Sequence, residues 1–233
     1  MSVHPTAIVE EGCTLGRDVE IGAYAVVRSG TVLGDGVLIG EHAVLGKRPK
    51  LGPRSTAKAG ELGPLRVGAG AVVSTHAVVY AGTEVGDGAI IGDQAFVRER
   101  CRIGAGTVIG RGVTVENDTE IGDGCRVQSQ SYITAKSVLE DDVFIAPCVV
   151  TTNDNLMGRT ERRHALLAGP TIRRGARIGG AVVLCPGIEI GAEAFIGAGA
   201  VVTRDVPAGK VLVGMPARVV RDVPEDELRA NGG

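Results

Sequence analysis

Residues 85–127 read VGDGAIIGDQAFVRERCRIGAGTVIGRGVTVENDTEIGDGCRV, and the period of this stretch decides the fold. Val85, Ile91, Val97, Ile103, Ile109, Val115, Ile121 and Val127 stand six residues apart. Working outward, the series extends back to Val67 and forward through Ile133 and Leu139 to Ile145. An earlier block runs from Val3 to Leu45 and a later one from Ile172 to Val202, giving 28 hexads whose anchors are all Val, Leu or Ile. Self-similarity of this kind marks a solenoid.

A second position supports the first. Four residues after each anchor stands a small or β-branched residue, such as Ala71, Ala89, Cys101, Thr107 and Cys125, with Pro49 and Ile188 as exceptions. It lies two residues before the next anchor, so in a strand both point to one side, inward. The three residues after each anchor are rich in Gly, Asp and Asn, which suits corners with unusual backbone angles. Three hexads per turn predict a triangular prism of about 18 residues per coil, with coils stacked roughly 4.8 Å apart. The 28 hexads then fill a little over nine coils.

The composition agrees. The 233 residues include 36 Gly but only 3 Phe, 3 Tyr and no Trp, while 44% are hydrophobic. So narrow an interior takes aliphatic side chains and leaves no room for aromatic ones. A net charge of -2 gives no reason to expect nucleic acid. The first residues lack a leader pattern and no apolar run approaches the roughly 18 residues of a membrane span, so a cytoplasmic protein is expected. Five cysteines without paired spacing point to free thiols, three of them (Cys13, Cys101, Cys125) at the small inward position.

Chemistry is expected where the repeat breaks. The first interruption, 47–66, carries Lys47, Arg48, Lys50, Arg54 and Lys58, either a phosphate clamp or a solvated loop. The second, 151–171, holds Asn153, Asp154, Asn155, Arg159, Arg162, Arg163 and His164. Counting 151–156 as a hexad without its aliphatic anchor places the two exits 15 hexads apart, a whole number of turns, so both loops are expected at one corner.

These hexads resemble the hexapeptide-repeat acyltransferases, whose fold is the all-β, single-stranded left-handed parallel β-helix. The resemblance covers residues 3 to about 221 and is the source of the handedness. It implies one β-helix domain over 1–221 and a tail over 222–233. The segment around Gln128, Tyr132, Asp141-Asp142-Val143-Phe144 and Thr152-Asn153 is similar to N-acetyltransferases that modify nucleotide-linked amino sugars. That likeness implies catalytic work by Asn153, His164 or His76 and substrate contacts by Gln128, Gln130, Tyr132 and Asp154. The C-terminal segment, with Gly214-Met215-Pro216-Ala217, resembles the closing segment of acetyl-CoA-dependent members. There Gly180 and Ala198 would accommodate the pantetheine arm, while Arg204, Lys210 and Arg218 would meet phosphates. The family likeness also implies a homotrimer.

Among the four histidines, His4 reads as idle, and His42 and His76 occupy outward corners. An amine acceptor is nucleophilic once deprotonated, so positioning and oxyanion stabilisation rank above a catalytic dyad. No close histidine pair exists for a zinc site of the carbonic anhydrase kind, and no metal is expected. Two other readings stay open. HPTAIVEEG at 4–12 suggests an O-acyltransferase resembling UDP-N-acetylglucosamine acyltransferase, and a non-catalytic solenoid scaffold is the contrasting class.

Overall fold

The computed structural model describes residues 1–52, 55–57 and 60–229. Two-residue strands recur along the chain and stack into three ladders of twelve, ten and nine strands. Each coil strand pairs in parallel with the one a full turn away: Ser2 with Glu20, Ile8 with Val26 and Thr14 with Val32. Three hexads therefore close one coil. The ladders beginning at Ser2–Val3, Ile8–Val9 and Thr14–Leu15 are the first, second and third faces. A strand this short has no stability alone, and the stack supplies its hydrogen bonds.

The anchors fill the interior. Ile91, Val97, Ile109, Val115, Val127, Ile133 and Ile145 have no exposed surface. Burial of each such side chain contributes about 1.5–3 kcal/mol. The small inward position does more than save space. Thr83, Thr107, Thr119 and Ser131 each donate a hydroxyl hydrogen bond to the backbone carbonyl fifteen residues on, at 2.6–3.2 Å. Cys101 and Cys125 do the same with their thiols, both at 3.1 Å. Burial pushes these two thiols up, to about 12 and about 11. Cys13, by contrast, is only partly buried.

The coil count needs one correction. The second ladder has ten strands, because Val150–Thr151 forms a rung of its own. Thr151 takes the anchor position without an aliphatic side chain and is fully buried. Its Oγ1 accepts from the Thr134 amide at 2.7 Å and donates to the Tyr132 carbonyl at 3.2 Å. Val206 bridges to Ile190 and closes the tenth coil. Of the two exceptions at the small position, Ile188 packs in the core at 6% exposure, while Pro49 lies in the first insertion, outside the coils.

Both insertions leave the second face and return on the third. The first lies between Val44–Lys47 and Arg66–Val67, the second between Val150–Thr151 and Thr171–Ile172. The expectation of a shared corner holds. The second insertion contains a four-residue helix, Arg163–Leu166. At the far end, Lys210–Gly214 stacks on Phe195–Ile196, and Ala217–Asp222 folds back antiparallel. This hairpin covers the open edge of the first ladder. The chain then packs back on the coils: Val223 is buried, Glu227 pairs with Arg177 at 2.8 Å, and Arg229 pairs with Asp142 at 2.6 Å.

Candidate functional site

The edge between the second and third faces collects the chemistry. The two insertions leave it five coils apart, about 24 Å at the spacing of stacked strands. The first insertion lies against the fourth and fifth coils, where Leu62 sits over Gly82 beside Arg100. The Lys47 ammonium stands 5.3 Å above the Tyr80 ring, and Tyr80 meets Phe96 edge to face at 5.3 Å. Lys47 is thus engaged with an aromatic ring. Arg54 and Lys58 of the basic cluster lie outside the described residues.

Above Tyr80 the corners turn strongly charged. Glu99 has no exposed surface, and Arg98 holds it through Nε at 3.1 Å and Nη2 at 2.9 Å. Arg98 Nη1 donates to Glu116 of the next coil at 3.1 Å. Arg100 grips Asp118 through Nε at 2.5 Å and Nη2 at 3.2 Å, and the Asn117 amide also donates to Asp118 at 2.6 Å. Burial pulls Arg98 down, yet Glu99 and Glu116 outweigh it and the net shift is upward. Burial likewise pushes Asp118 up, but the hydrogen bonds from Arg100 and Asn117 hold it below the usual carboxylate range. One coil higher, burial raises the Tyr132 phenol, and Glu116 beside it raises it further.

The residues expected from sequence divide between two edges. Asn153 lies on the second–third edge, where its Nδ2 donates to the Ala135 carbonyl at 3.2 Å. Asp154 accepts from the amides of Leu156 at 2.8 Å and Gly158 at 2.9 Å, so its carboxylate shapes the insertion. His164 is exposed on the short helix and pairs with Glu161 at 3.2 Å. Tyr132 projects from the second face and is half-exposed. His76, Gln128 and Gln130 instead occupy the edge between the first and second faces. There His76 stacks on His42 at 4.8 Å, and His42 on Tyr24 at 5.0 Å. Gln130 folds over Gly112, with its Nε2 2.6 Å from where a Cβ of that glycine would lie. Within one chain His76 and Asn153 are four coils apart, about 19 Å along the axis.

The set expected for acetyl-CoA also spreads out. Gly180 and Ala198 follow one another up the first–second edge. A Cβ on Gly180 would meet only the Pro147 carbonyl oxygen at 3.5 Å, and one on Gly199 would meet nothing within 4 Å, so that edge leaves backbone open to an arm. Arg204 is exposed on the second–third edge. Lys210 pairs with Asp222, and Arg218 lies on the capping strand with its guanidinium on the Ala217 carbonyl. Among the described residues no group of three or more His, Cys, Asp or Glu is placed to hold a metal ion.

Sequence reasoning missed Arg98, Glu99, Arg100, Glu116 and Asp118. Their signal was present as RER and END standing where other corners read Gly-Asp-Gly or Gly-Ala-Gly. The residues sit 18 apart, so they become neighbours only once the coils are in register.

The model of the bacterial transferase hexapeptide (six repeats) matches residues 12–47, 100–135 and 169–204. Over 86 residues the chain is 37% identical to the galactoside O-acetyltransferase of Escherichia coli (strain K12), covering 36% of this chain and 42% of that one. Over 85 residues it is 36% identical to the serine acetyltransferase of Buchnera aphidicola subsp. Acyrthosiphon pisum (strain APS), covering 36% of this chain and 29% of the other. The chain thus spans less than half the length of these relatives. Arabidopsis UDP-N-acetylglucosamine acyltransferase superposes over 99% of this chain and 77% of its own with a TM-score of 0.52 at 23% identity, a shared fold.

Proposed function

We propose that this chain, a hexapeptide-repeat protein, works as a homotrimer that moves an acetyl group from acetyl-CoA to the amine of a nucleotide-linked amino sugar. The observation that carries the reading is the corner beneath the second insertion. Asn153 is fixed there by one amide hydrogen on the Ala135 carbonyl, and its second is left for a thioester oxygen. Tyr132 stands half-exposed on the coil below, and local matches to two acetyltransferases support the same chemistry. The open glycine backbone on the other edge of the second face suits the pantetheine arm. In a trimer a neighbouring chain's first–second edge would face this corner and bring Gln128 to within one coil of Asn153, while His76, four coils lower, stays away from it. The five free thiols fit a reducing compartment.

In the step itself the deprotonated amine attacks the thioester carbonyl. The C–N bond forms, the C–S bond breaks, and the CoA thiolate takes up the proton that the amine sheds. The chain holds the two reactants together and donates to the developing oxyanion, which supplies much of such a rate. The test is incubation with acetyl-CoA and a panel of UDP- and dTDP-linked 3-amino and 4-amino sugars while thiol release is measured. The expected outcome is turnover on at least one sugar, with Asn153→Ala reducing it far more than His4→Ala. No turnover, together with no binding of acetyl-CoA by calorimetry, removes the reading. A second reading, transfer to a sugar hydroxyl, is favoured by the match to the galactoside O-acetyltransferase, and it predicts acetylation of neutral galactosides in the same assay.

A further inference from the structure

Among the described residues, Glu99 is the only charged side chain in the buried class. The coil does not require it, since the equivalent corner one turn below is made by Ala81 and Gly82 without any charge. Replacing a buried ion pair by apolar groups is often neutral or stabilising, so stability alone is a weak reason to build one. The geometry of this one is directional. Arg98 spends its Nε and Nη2 on Glu99, bidentate, and turns Nη1 outward to Glu116 at 3.1 Å. Tyr132 stacks in register on Thr114, two residues before Glu116, so the phenol and the Glu116 carboxylate project side by side from adjacent coils. Along this line the side chains of Glu99, Arg98 and Glu116 are 0%, 20% and 21% exposed, and Tyr132 reaches 38%. The network climbs one coil at a time from the interior to the surface and ends below the second insertion.

A carboxylate beside an aromatic ring, with its orientation fixed, matches the chemistry of a pyranose. The ring's C–H face packs on the aromatic side chain, and its hydroxyls or an ammonium donate to the carboxylate. Hydrogen bonds to an ionised acceptor are the stronger kind. The planar guanidinium of Arg98, gripped along one side by Glu99, fixes where Glu116 sits. We propose that Glu116 and Tyr132 form the subsite for the pyranose of the acceptor sugar, and that buried Glu99 is a positioning residue acting through Arg98. The identity of the acceptor as an amino sugar rests on the acetyltransferase reading; the subsite does not require turnover.

The test uses the full chain and two readouts. Calorimetric titration with the UDP- and dTDP-linked amino sugars, without acetyl-CoA, measures binding directly, and steady-state assays separate the KM of acceptor from that of acetyl-CoA. Glu116→Gln is expected to weaken acceptor binding about tenfold or more. Acceptor KM should rise by a similar factor, while acetyl-CoA KM and Tm stay at wild-type values. Glu99→Gln should raise acceptor KM in the same way; a fall in Tm with acceptor KM unchanged would make Glu99 structural only. Glu84→Gln, on the third face, serves as the control. Wild-type acceptor affinity in Glu116→Gln, or no sugar bound by the wild-type protein, overturns the subsite. If sugars bind in a Glu116-dependent way and none is acetylated, the subsite stands and the acetyl-transfer reading falls. If sugars are acetylated with acceptor KM unchanged in Glu116→Gln, the reverse holds.

Discussion

Glycine has two separate duties in these corners, and only one was legible in the sequence. Gly34 begins a corner, and a Cβ there would lie 2.7 Å from the Ala69 amide nitrogen in the coil above, so the residue is required by stacking rather than by its torsion angle. Gly70 ends a corner at a φ of +65° with nothing within 4 Å of its Cβ position. At that same place other coils carry Asp18 and Asp142, with φ of 54° and 62°. Side chains substitute for glycine where only the backbone angle matters. They do not where another coil's backbone is in the way.

Acid should unlock the second–third edge in a way that one substitution reveals. Asp118 resists burial because Arg100 and Asn117 bond to it, so its folded value lies below its unfolded one of about 3.9. A carboxyl lowered on folding contributes stability that is present above the unfolded value and lost as pH falls through the folded value. Glu140, lowered chiefly by its hydrogen bond with Arg173, follows the same sign. Thermal unfolding followed by circular dichroism should therefore give a Tm that changes little from pH 7 to 5 and drops below about pH 4. Arg100→Met should unfold at lower temperature than wild type at pH 7, with the two curves converging in acid as Asp118 becomes neutral in both. A gap that stays constant across the range would remove Asp118 as its source.

At the scale of the rung, the six-residue rule identified the 28 strands of its three blocks and missed the rung whose anchor is Thr151, along with the closing strands Lys210–Gly214 and Ala217–Asp222, which lie beyond the last regular hexad. The reason is chemical. A hydroxyl enters this core only where it has partners, and Thr151 finds them in the Thr134 amide and the Tyr132 carbonyl. Those partners lie 17 and 19 residues back and belong to the previous coil, which a search along the chain does not compare. The charged cluster was hidden for the same reason: Arg98 and Glu116, like Arg100 and Asp118, are 18 residues apart in the linear sequence and neighbours in the fold. Thr151→Val, the change that restores the aliphatic rule, should therefore destabilise. It strands the Thr134 amide in the interior, at a cost of about 1–3 kcal/mol, or a few degrees of Tm in a chain this long. A valine variant as stable as wild type would show that the amide has another acceptor.

For the whole molecule, the three faces differ in what they offer to another chain. The third face points Arg66, Glu84, Arg102 and Glu120 outward in succession, a surface suited to water. The second face presents Val26, Val44, Val78, Phe96, Val150 and Val183, interrupted by Thr114 and Tyr132. A column of aliphatic side chains on a flat ladder is costly to leave in water, and apolar burial contributes about 25 cal/mol per Å² when a neighbour covers it. Closed threefold packing would bury the column in every copy and set one chain's first–second edge against the next chain's second–third edge, which brings Gln128 of one copy level with Tyr132 of the next and leaves His76 about three coils lower. Light scattering should then give three times the 23.9 kDa of the chain. Placing charge in the column with Val78→Glu and Val150→Glu should reduce the mass to that of a single chain and abolish acetyl transfer together with it, while Glu84→Lys on the third face leaves both unchanged. A wild-type protein that scatters as a monomer yet turns over would require all of the chemistry to come from one chain, and Gln128 would then have no part in it.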